Sequence, residues 1–262
     1  MSVYHSDSHE LLTKAIDSIL QQTVSCDLYL YQDGVIPDEL QNALNKYSEC
    51  QNVRFFHDDE NKGLAYSLNF LIEHLLSGDY EFVARMDSDD YSYPQRLERQ
   101  LLFFDSEKDV SVCGTFCREV GASYALEKKT LPVSHCELLN FSVSRCPFIH
   151  PSVMFRIDVF KHGYRYPTTT KLTEDMALWF QLLESGFKFG NVDEVLMDYM
   201  LTEDTVERRR GAGKAFSEFS LRMKYMIILK KVSLRNFFLV SSRLLFHFLP
   251  VSILRLAYKL AR

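Results

Sequence analysis

An apolar run that ends in three carboxylates constrains the fold of this chain more than any other stretch. Residues 82–86 are strand-like and mostly apolar, and Asp87, Asp89 and Asp90 follow directly. Because aspartate is almost never buried unpaired, we expect these acids to lie in a cleft at the end of a buried strand. Carboxylates this close repel one another, and oxygen ligands suit a hard divalent ion. The stretch predicts a metal site, with a solvated turn before the next helix as the alternative.

Strand-like and helix-like segments alternate before these acids. Residues 1–4, 26–32 and 53–56 are strand-like, whereas the segments between them repeat apolar residues at helical spacing. This order is typical of an α/β fold with a mostly parallel sheet and flanking helices. The first segment is short for a strand, which is consistent with some residues missing from the start of the chain.

Polar residues follow each of these strand-like segments. Tyr4 ends the first, Asp33 ends the second, and a loop containing Lys62 follows the third, as Asp87 follows the fourth. Ligands of parallel sheets bind outside the carboxyl ends of the strands. Asp33 is suited to accept from a base N–H, Tyr4 to stack on a ring and Lys62 to approach a diphosphate. Ordinary turn chemistry explains each residue alone, but their equivalent positions favour a shared ligand crevice.

Charge is unevenly distributed along the chain. Of its 262 residues, those up to Asp204 include 17 Lys and Arg against 33 Asp and Glu, whereas those from Thr205 include 13 against 2. The acidic part indicates cation-assisted chemistry rather than nucleic-acid binding, and the basic, apolar part indicates an anionic surface as partner. We therefore divide the chain into a body, residues 1–204, and a helical tail, residues 205–262.

The remaining composition indicates a cytoplasmic globular protein. The 47% of hydrophobic residues can build a sizeable core, which excludes a disordered or fibrous chain. Six cysteines form no Cys-x-x-Cys pair, and no histidine is placed to complete a zinc site, so reduced thiols are expected. The chain opens without a signal-peptide pattern, and no uncharged run reaches the ~18 residues of a spanning helix.

The motifs at the strand ends can be compared with a known family. They are Tyr4, Asp33-Gly34, Asn61-Lys62-Gly63 with Asn69, and Arg85-Met86-Asp87-Ser88-Asp89-Asp90 with Pro94-Gln95-Arg96-Leu97. In this order they resemble glycosyltransferase family 2 over residues 1–204. The resemblance implies a Rossmann-like GT-A fold with a nucleotide-sugar half, residues 1–116, and an acceptor half, residues 117–204.

For the donor, the resemblance implies a UDP-sugar held by a divalent metal ion. Tyr4 and Asp33 would contact the uracil, Asp87 the ribose or the metal, and Asp89 would hold Mn²⁺ or Mg²⁺ on the diphosphate. Glycoside hydrolysis needs two carboxyl groups flanking the bond, and nothing in the sequence requires such a pair. The other residues implied at the donor are Lys62, Gly63, Asn69 and Ser88.

The acceptor half contains two informative segments. The segment with His150 and Arg156 resembles the acceptor side of the family, although a histidine before proline is also a common structural hydrogen-bonding group. Glu174 and Asp175 follow Thr173 at the start of a helix, where capping and the positive helix end explain both acids. The same pair resembles the catalytic base of the family, which we assign to Asp175, with Glu174 on the acceptor side.

The tail has two further interpretations besides a membrane contact. It carries Arg208, Arg209 and Arg210 before apolar residues at helical spacing, interleaved with basic ones. An amphipathic helical region of this kind can lie on an anionic leaflet, where each cation contributes up to ~1 kcal/mol. A helical cap on the body and an oligomer contact are the alternatives. The membrane interpretation predicts an enzyme bound peripherally to the inner face of the bacterial inner membrane.

The resemblance also implies a substrate class. Family members with such tails commonly extend polyprenyl-diphosphate-linked sugars in O-antigen or capsule assembly. It therefore implies UDP-galactose or UDP-glucose as donor and GlcNAc-diphospho-undecaprenol as acceptor, with rhamnose or GlcNAc donors as alternatives. One base and one metal suffice for a single displacement that inverts the anomeric centre, so an α-linked donor gives a β-linked product, and the resemblance implies a β-1,3 linkage.

Two other classes of protein fit parts of the sequence. A phosphohydrolase also uses an Asp-x-Asp motif, but such sites generally follow the first strand of a domain, whereas three predicted strands precede Asp87. A non-catalytic, membrane-bound binding module would bind UDP without turnover.

Overall fold

A parallel three-stranded sheet forms the first half of the molecule. A computed structural model describes residues 1–170, 173–205 and 211–246 of the chain. In this sheet β2 lies between β1 and β3, and the register aligns Tyr4 with Asp33 and Asp33 with Asp58 at the carboxyl ends. The parallel arrangement predicted for this half is confirmed. Its elements are β1 (Ser2–Tyr4), α1 (His9–Leu20), β2 (Leu28–Asp33), α2 (Asp38–Asn45) and β3 (Val53–Asp58).

The strands from residue 82 onward form a five-stranded mixed sheet in the order β4-β7-β6-β8-β5. Only β6 and β8 run parallel, whereas the pairs β4–β7, β6–β7 and β5–β8 are antiparallel. The expectation of a mostly parallel sheet is therefore correct for the first sheet alone, because a fully buried apolar run does not reveal strand direction. The strands are β4 (Phe82–Ala84), β5 (Tyr91–Ser92), β6 (Val110–Val120), β7 (Met154–Arg156) and β8 (Lys188–Met200).

Helices cover both sheets, as expected for an α/β protein. A short 3₁₀ helix, His150–Ser152, precedes β7. The largest hydrophobic core lies under helix α7 (Glu174–Glu184). There the buried Trp179 contacts the rings of Phe148, Phe155 and Phe189. This assigns Trp179 to the core. The remaining helices are α3 (Leu64–Leu76), α4 (Arg96–Ser106), α5 (His135–Ser142), α6 (Asp158–Lys161), α7 (Glu174–Glu184), α8 (Ala212–Ile228) and α9 (Leu234–Phe246).

An apolar cavity of about 380 Å³ lies where the two sheets meet. Met1 and Tyr29 line it from the first sheet, and Val83 and Ala84 line it from β4. Among the described strands, none of the first sheet pairs with β4. Side-chain packing and loops therefore join the sheets, and Arg85 and Met86, just after β4, also line the cavity.

The described part of the tail is a helical hairpin packed on the body. The ring of Tyr225 in α8 stacks on that of Phe180 in α7, with centroids 4.7 Å apart. The buried Arg222 donates to the carbonyl oxygens of Ser142 and Val143 at 2.9 and 3.1 Å. Tyr225 and Arg222 thus lie on the inner face of the hairpin, the face that packs on the body. Such packing is what the helical-cap alternative for the tail expects.

The membrane interpretation of the tail concerns the solvent-exposed, outer face of the hairpin and residues that the structure does not describe. The outer face exposes Phe216, Ile227, Val232, Leu234, Phe237, Phe238 and Leu239. Within the described ranges, no helix combines the length and the apolar character needed to cross a bilayer. The predicted arginine run at 208–210 and residues 247–262 lie outside the described residues.

Truncating Trp179 tests this assignment of the core. We expect Trp179→Ala to lower the free energy of unfolding by about 3–5 kcal/mol, because it removes a fully buried ring and leaves a cavity. Leu102→Ala is the control, since Leu102 is 52% exposed on α4 and should change stability by less than about 0.5 kcal/mol. Urea unfolding followed by circular dichroism measures both. Equal effects of the two substitutions would contradict the assignment.

Candidate active site

Three carboxylates form a compact cluster after β4, as the sequence predicts. One oxygen from each of Asp87, Asp89 and Asp90 lies within 4.8 Å of the others. Asp90 is buried; its Oδ1 accepts the Met200 N–H at 2.7 Å, and its Oδ2 has no hydrogen-bond partner in the described part of the chain. A buried carboxylate oxygen without a donor is unfavourable unless a cation balances it. These oxygen donors therefore fit a hard divalent ion.

The electrostatics of the cluster support the same conclusion. Burial, followed by the charges of Asp87 and Asp7, raises the pKa of Asp89 to about 7. Burial, followed by the charges of Asp87 and Asp89, raises the pKa of Asp90 well above its usual value. Both shifts mean that the ionised carboxylates are destabilised, mainly by their removal from water and further by repulsion from one another. A bound divalent cation would relieve this repulsion.

Two buried arginines lie behind the carboxylates. The Arg85 guanidinium forms an ion pair with Asp87 Oδ2. The Arg96 side chain, from the start of α4, donates to the carbonyl oxygens of Arg85 at 3.1 Å and Pro151 at 3.0 Å. Arg96 therefore fixes the backbone that presents the cluster. The sequence analysis includes both arginines in the motif around Asp87 but assigns a role to neither.

A fourth acid, Asp7, links the loops after β1 and β4. Its Oδ2 accepts the Ser88 hydroxyl at 2.8 Å and the Tyr4 N–H at 3.1 Å. Burial raises the pKa of Asp7 to about 6. Sequence reasoning missed this residue, whose one available signal is its position just after the first strand. The Tyr4 side chain is 36% exposed, which leaves it accessible at the predicted crevice.

The buried Asp33 closes the loop that follows β3. Its two carboxylate oxygens accept the Lys62 and Gly63 N–H groups at 2.7 and 2.9 Å. Gly63 has a φ of +87°, and Gly34 has a φ of +88°. A Cβ at Gly34 would also lie only 3.0 Å from the backbone nitrogen of Asn61. Glycine alone adopts this backbone without strain, so the loop needs both glycines. Each Asp33 oxygen keeps a second lone pair, so its contact with the base stays a prediction.

Lys62 is turned toward the end of β3. Its Nζ forms an ion pair with the Asp58 carboxylate and lies 4.9 Å from the centroid of the Tyr66 ring. Both contacts hold the ammonium group at this loop. Reaching a diphosphate, as predicted, therefore requires Lys62 to leave Asp58.

Two predicted site residues hold the scaffold together instead of joining the acidic cluster. The Asn69 amide donates to the Tyr166 carbonyl oxygen and accepts the Tyr166 N–H, both at 2.8 Å, so its polar atoms fasten a loop to α3. Arg156 pairs in register with Phe82, at the end of β4 opposite the acids. Its guanidinium donates to the carbonyl oxygens of Val110 and Phe104. The structure thus does not bring Arg156 to the crevice.

The second acidic group occupies the first turn of α7. Asp175 Oδ1 accepts the Met176 N–H at 2.7 Å, and Cys146 Sγ donates to Asp175 Oδ2 at 3.8 Å. Burial, followed by the charge of Asp175, raises the pKa of Glu174. Thr173 occupies the N-cap position, but its side chain makes no cap hydrogen bond, so the predicted cap is wrong in that respect.

The buried Tyr166 is subject to the charges of both acidic groups. Its buried hydroxyl is 3.0 Å from His150 Nε2. Burial raises the pKa of Tyr166; the charge of Arg85 lowers it, and the charges of Asp175, Asp87 and Glu174 raise it. Burial, followed by the charge of Arg85, lowers the pKa of His150, so its ring is neutral at physiological pH. Asp87 after β4 and Glu174 and Asp175 of α7 thus all act electrostatically on the hydroxyl of Tyr166, a residue that sequence reasoning missed.

Known proteins share this arrangement of strands and helices. The chain is 29% identical over 269 residues to a UDP-Gal:alpha-D-GlcNAc-diphosphoundecaprenol beta-1,3-galactosyltransferase of Escherichia coli, covering 99% of this chain and 94% of that protein. It superposes on S. aureus TarS 1-349 in complex with UDP-GlcNAc with a TM-score of 0.62 at 16% identity, covering 99% of this chain and 87% of that one.

A third similarity is more distant. The mannosyltransferase PcManGT from Pyrobaculum calidifontis, in complex with GDP-Man and Mn²⁺, superposes with a TM-score of 0.59 at 13% identity, covering 99% of this chain and 72% of that one. At these identities the two solved structures establish the fold, which is the expected GT-A fold. The model of the family described as glycosyl transferase family 2 matches residues 1–163. The chain therefore belongs to glycosyl transferase family 2, and it is a glycosyltransferase.

Proposed function

We propose that this enzyme transfers a hexose, galactose or glucose, from a UDP-sugar to a lipid-linked acceptor such as GlcNAc-diphospho-undecaprenol in bacterial surface polysaccharide synthesis. The observation that carries the proposal is the compact carboxylate cluster after β4, accompanied by a second pair of acids in the first turn of α7. One group suits a metal-bound diphosphate, and the other suits a base for the acceptor hydroxyl. The name of the E. coli relative supports this donor and acceptor, and its alignment spans nearly the whole of both chains.

The donor side of the proposal rests on the cluster after β4. Asp89, with Asp87 and Asp90 beside it, would hold Mn²⁺ or Mg²⁺. A divalent ion bound there supplies Lewis-acid stabilisation for the charge of the leaving UDP. The UDP-GlcNAc complex of TarS supports a uridine nucleotide, and the Mn²⁺ complex of PcManGT supports a metal ion. Tyr4 would stack on the uracil, and Asp33 would hold the loop that faces it.

The acceptor side rests on the first turn of α7. Asp175 would accept the proton of the acceptor hydroxyl. The hydroxyl oxygen of the acceptor would attack the anomeric carbon from the face opposite UDP. Such general-base assistance is worth ~10²–10⁴-fold in rate. A single displacement inverts the anomeric centre, so an α-linked donor gives a β-linked sugar. The neutral His150 and its partner Tyr166 would orient the acceptor through hydrogen bonds.

The outer face of the α8–α9 hairpin would contact the membrane. Leu234 and Phe238 are 84% and 75% exposed and lie four positions apart on α9, hence on one face. Lys230, Lys231 and Arg235 adjoin them in sequence. Apolar residues beside cations suit an anionic leaflet. The enzyme would thus bind the cytoplasmic face of the inner membrane, where a polyprenyl-diphosphate acceptor is available.

The identity of the sugar is the open part of the proposal. A screen of radiolabelled UDP-galactose, UDP-glucose and UDP-GlcNAc, with dTDP-rhamnose included, against short-chain GlcNAc-diphospho-lipids tests it directly. We expect transfer from one of the UDP-hexoses. Transfer from rhamnose or GlcNAc donors would instead place the enzyme in the alternative class that builds other capsule or exopolysaccharide chains.

Calorimetry with UDP tests the metal site. We expect heat of UDP binding when Mn²⁺ is present and a loss of at least about tenfold in affinity when it is chelated, because the carboxylates then repel the diphosphate. Asp89→Asn should cause a similar loss. Asp79→Asn removes an exposed carboxylate before β4 and is the matched control. UDP binding that is indifferent to Mn²⁺ and to Asp89→Asn would refute the metal site.

Replacing the proposed base tests the acceptor side. We expect Asp175→Asn to lower the rate of transfer by at least ~10²-fold while Mn²⁺-dependent UDP binding is unchanged, because the amide cannot accept the proton. Glu174→Gln, the same change one residue earlier, should have a smaller effect. Transfer assays and UDP calorimetry on both variants supply the comparison. Unchanged turnover of Asp175→Asn would remove this residue from its role.

Point substitutions on α9 test the membrane contact without removing the buried residues of α8. We expect Leu234→Ser/Phe238→Ser to lower association with vesicles containing anionic lipid by at least about threefold, because it removes apolar area from the outer face. Leu102→Ser/Val35→Ser, on exposed sites of the body, is the control. Vesicle co-sedimentation measures both. Equal association of the two double variants would contradict the contact.

A further inference from the structure

We propose that Arg85 is a positioning residue that fixes Asp87 and sets the charge of the acidic cluster, so that the divalent ion binds chiefly together with the nucleotide diphosphate. The inference rests on the proposed function, because it concerns how the donor site acquires its metal. It adds a role for a residue that belongs to the core of the body and not to the metal ligands.

The contacts of Arg85 place its charge at the centre of the site. The side chain is buried, its guanidinium pairs with Asp87 Oδ2, and its backbone is held by Val153 and Arg96. Its Nε has no hydrogen-bond partner within the described ranges. A buried guanidinium normally satisfies most of its five donors. Arg85 therefore keeps a buried donor without a partner while its guanidinium pairs with the cluster.

The charge balance around Arg85 has a direct consequence. Its charge acts on Asp89 and Asp90 on one side and on Glu174 and Tyr166 on the other. Asp87, Asp89 and Asp90 with Arg85 carry a formal charge of −2, and the nearby Asp7 and Arg96 add one charge of each sign. One divalent ion thus neutralises the cluster. Without Arg85 the same pocket would carry one more negative charge and attract free metal ions more strongly.

The guanidinium distinguishes a free metal ion from a metal–diphosphate complex. Its charge repels a free divalent cation but attracts the negative charge of the diphosphate in the complex. It also engages one oxygen of Asp87 and leaves the other for the ligand. Arg85 consequently weakens the binding of metal alone and strengthens the binding of UDP with metal.

Replacing Arg85 should change these two affinities in opposite directions. We expect Arg85→Met to tighten the binding of Mn²⁺ alone by at least about threefold and to weaken UDP binding at saturating Mn²⁺ by about tenfold. Electron paramagnetic resonance of free Mn²⁺ measures the first affinity, and calorimetry with UDP measures the second. A side chain that only supports the fold would weaken both affinities, and that result, or unchanged Mn²⁺ binding, would overturn the proposal.

Two further variants keep the test decisive. Arg156→Met removes a half-buried guanidinium that donates to two carbonyl oxygens at the opposite end of β4, so both affinities should stay within about twofold of wild type. If Arg85→Met does not fold, Arg85→Lys keeps the charge but not the fork, and should bind Mn²⁺ like wild type and UDP more weakly. Tighter Mn²⁺ binding by Arg85→Lys would overturn the role of charge. Failure of the wild type to bind UDP with Mn²⁺ would instead refute the proposed function.

Discussion

The burial of several carboxylates beside two guanidinium groups is the interaction on which the site depends. Charges removed from water are costly unless opposite charges and hydrogen bonds surround them. Arg85 meets this need for Asp87 through an ion pair, and Arg96 does so indirectly, by binding the carbonyl oxygens of the turn that carries the acids. The end of β4 is therefore a preformed acidic pocket and not a flexible loop that a ligand must organise.

The hydrogen bonds that each aspartate accepts show whether its carboxylate is used by the fold or is available to a ligand. Both oxygens of Asp33 accept backbone N–H groups, so this carboxylate is stable without any ligand and its main effect is to shape the loop at Lys62 and Gly63. Asp90 is equally buried, yet one of its oxygens has no partner among the described residues. Such an atom lowers stability unless a cation or water meets it. Two aspartates that look alike in the sequence thus differ in what they offer to chemistry.

The sequence predicted those features that depend on neighbours along the chain. Strand ends, the acids after β4 and the pair at the start of α7 follow from local patterns. Asp7 and Tyr166 were missed because their partners, Ser88 and Asn69, lie 81 and 97 residues away. The direction of β7 was missed for the same reason, since pairing with β4 and β6 decides it. Arg156 was misplaced because a motif gives the order of residues but not which end of a strand faces the ligand.

The hairpin of α8 and α9 cannot be separated physically from the chemistry of the body. Arg222 binds the carbonyl oxygens at the end of α5, just before the segment whose Cys146 contacts Asp175. Tyr225 stacks on Phe180, which lies on the same helix as Asp175. Both elements around this acid are thus packed against the inner face of the hairpin. Because the outer face exposes apolar side chains, a surface that covers them would contact a hairpin whose packing continues to the helix that carries Asp175.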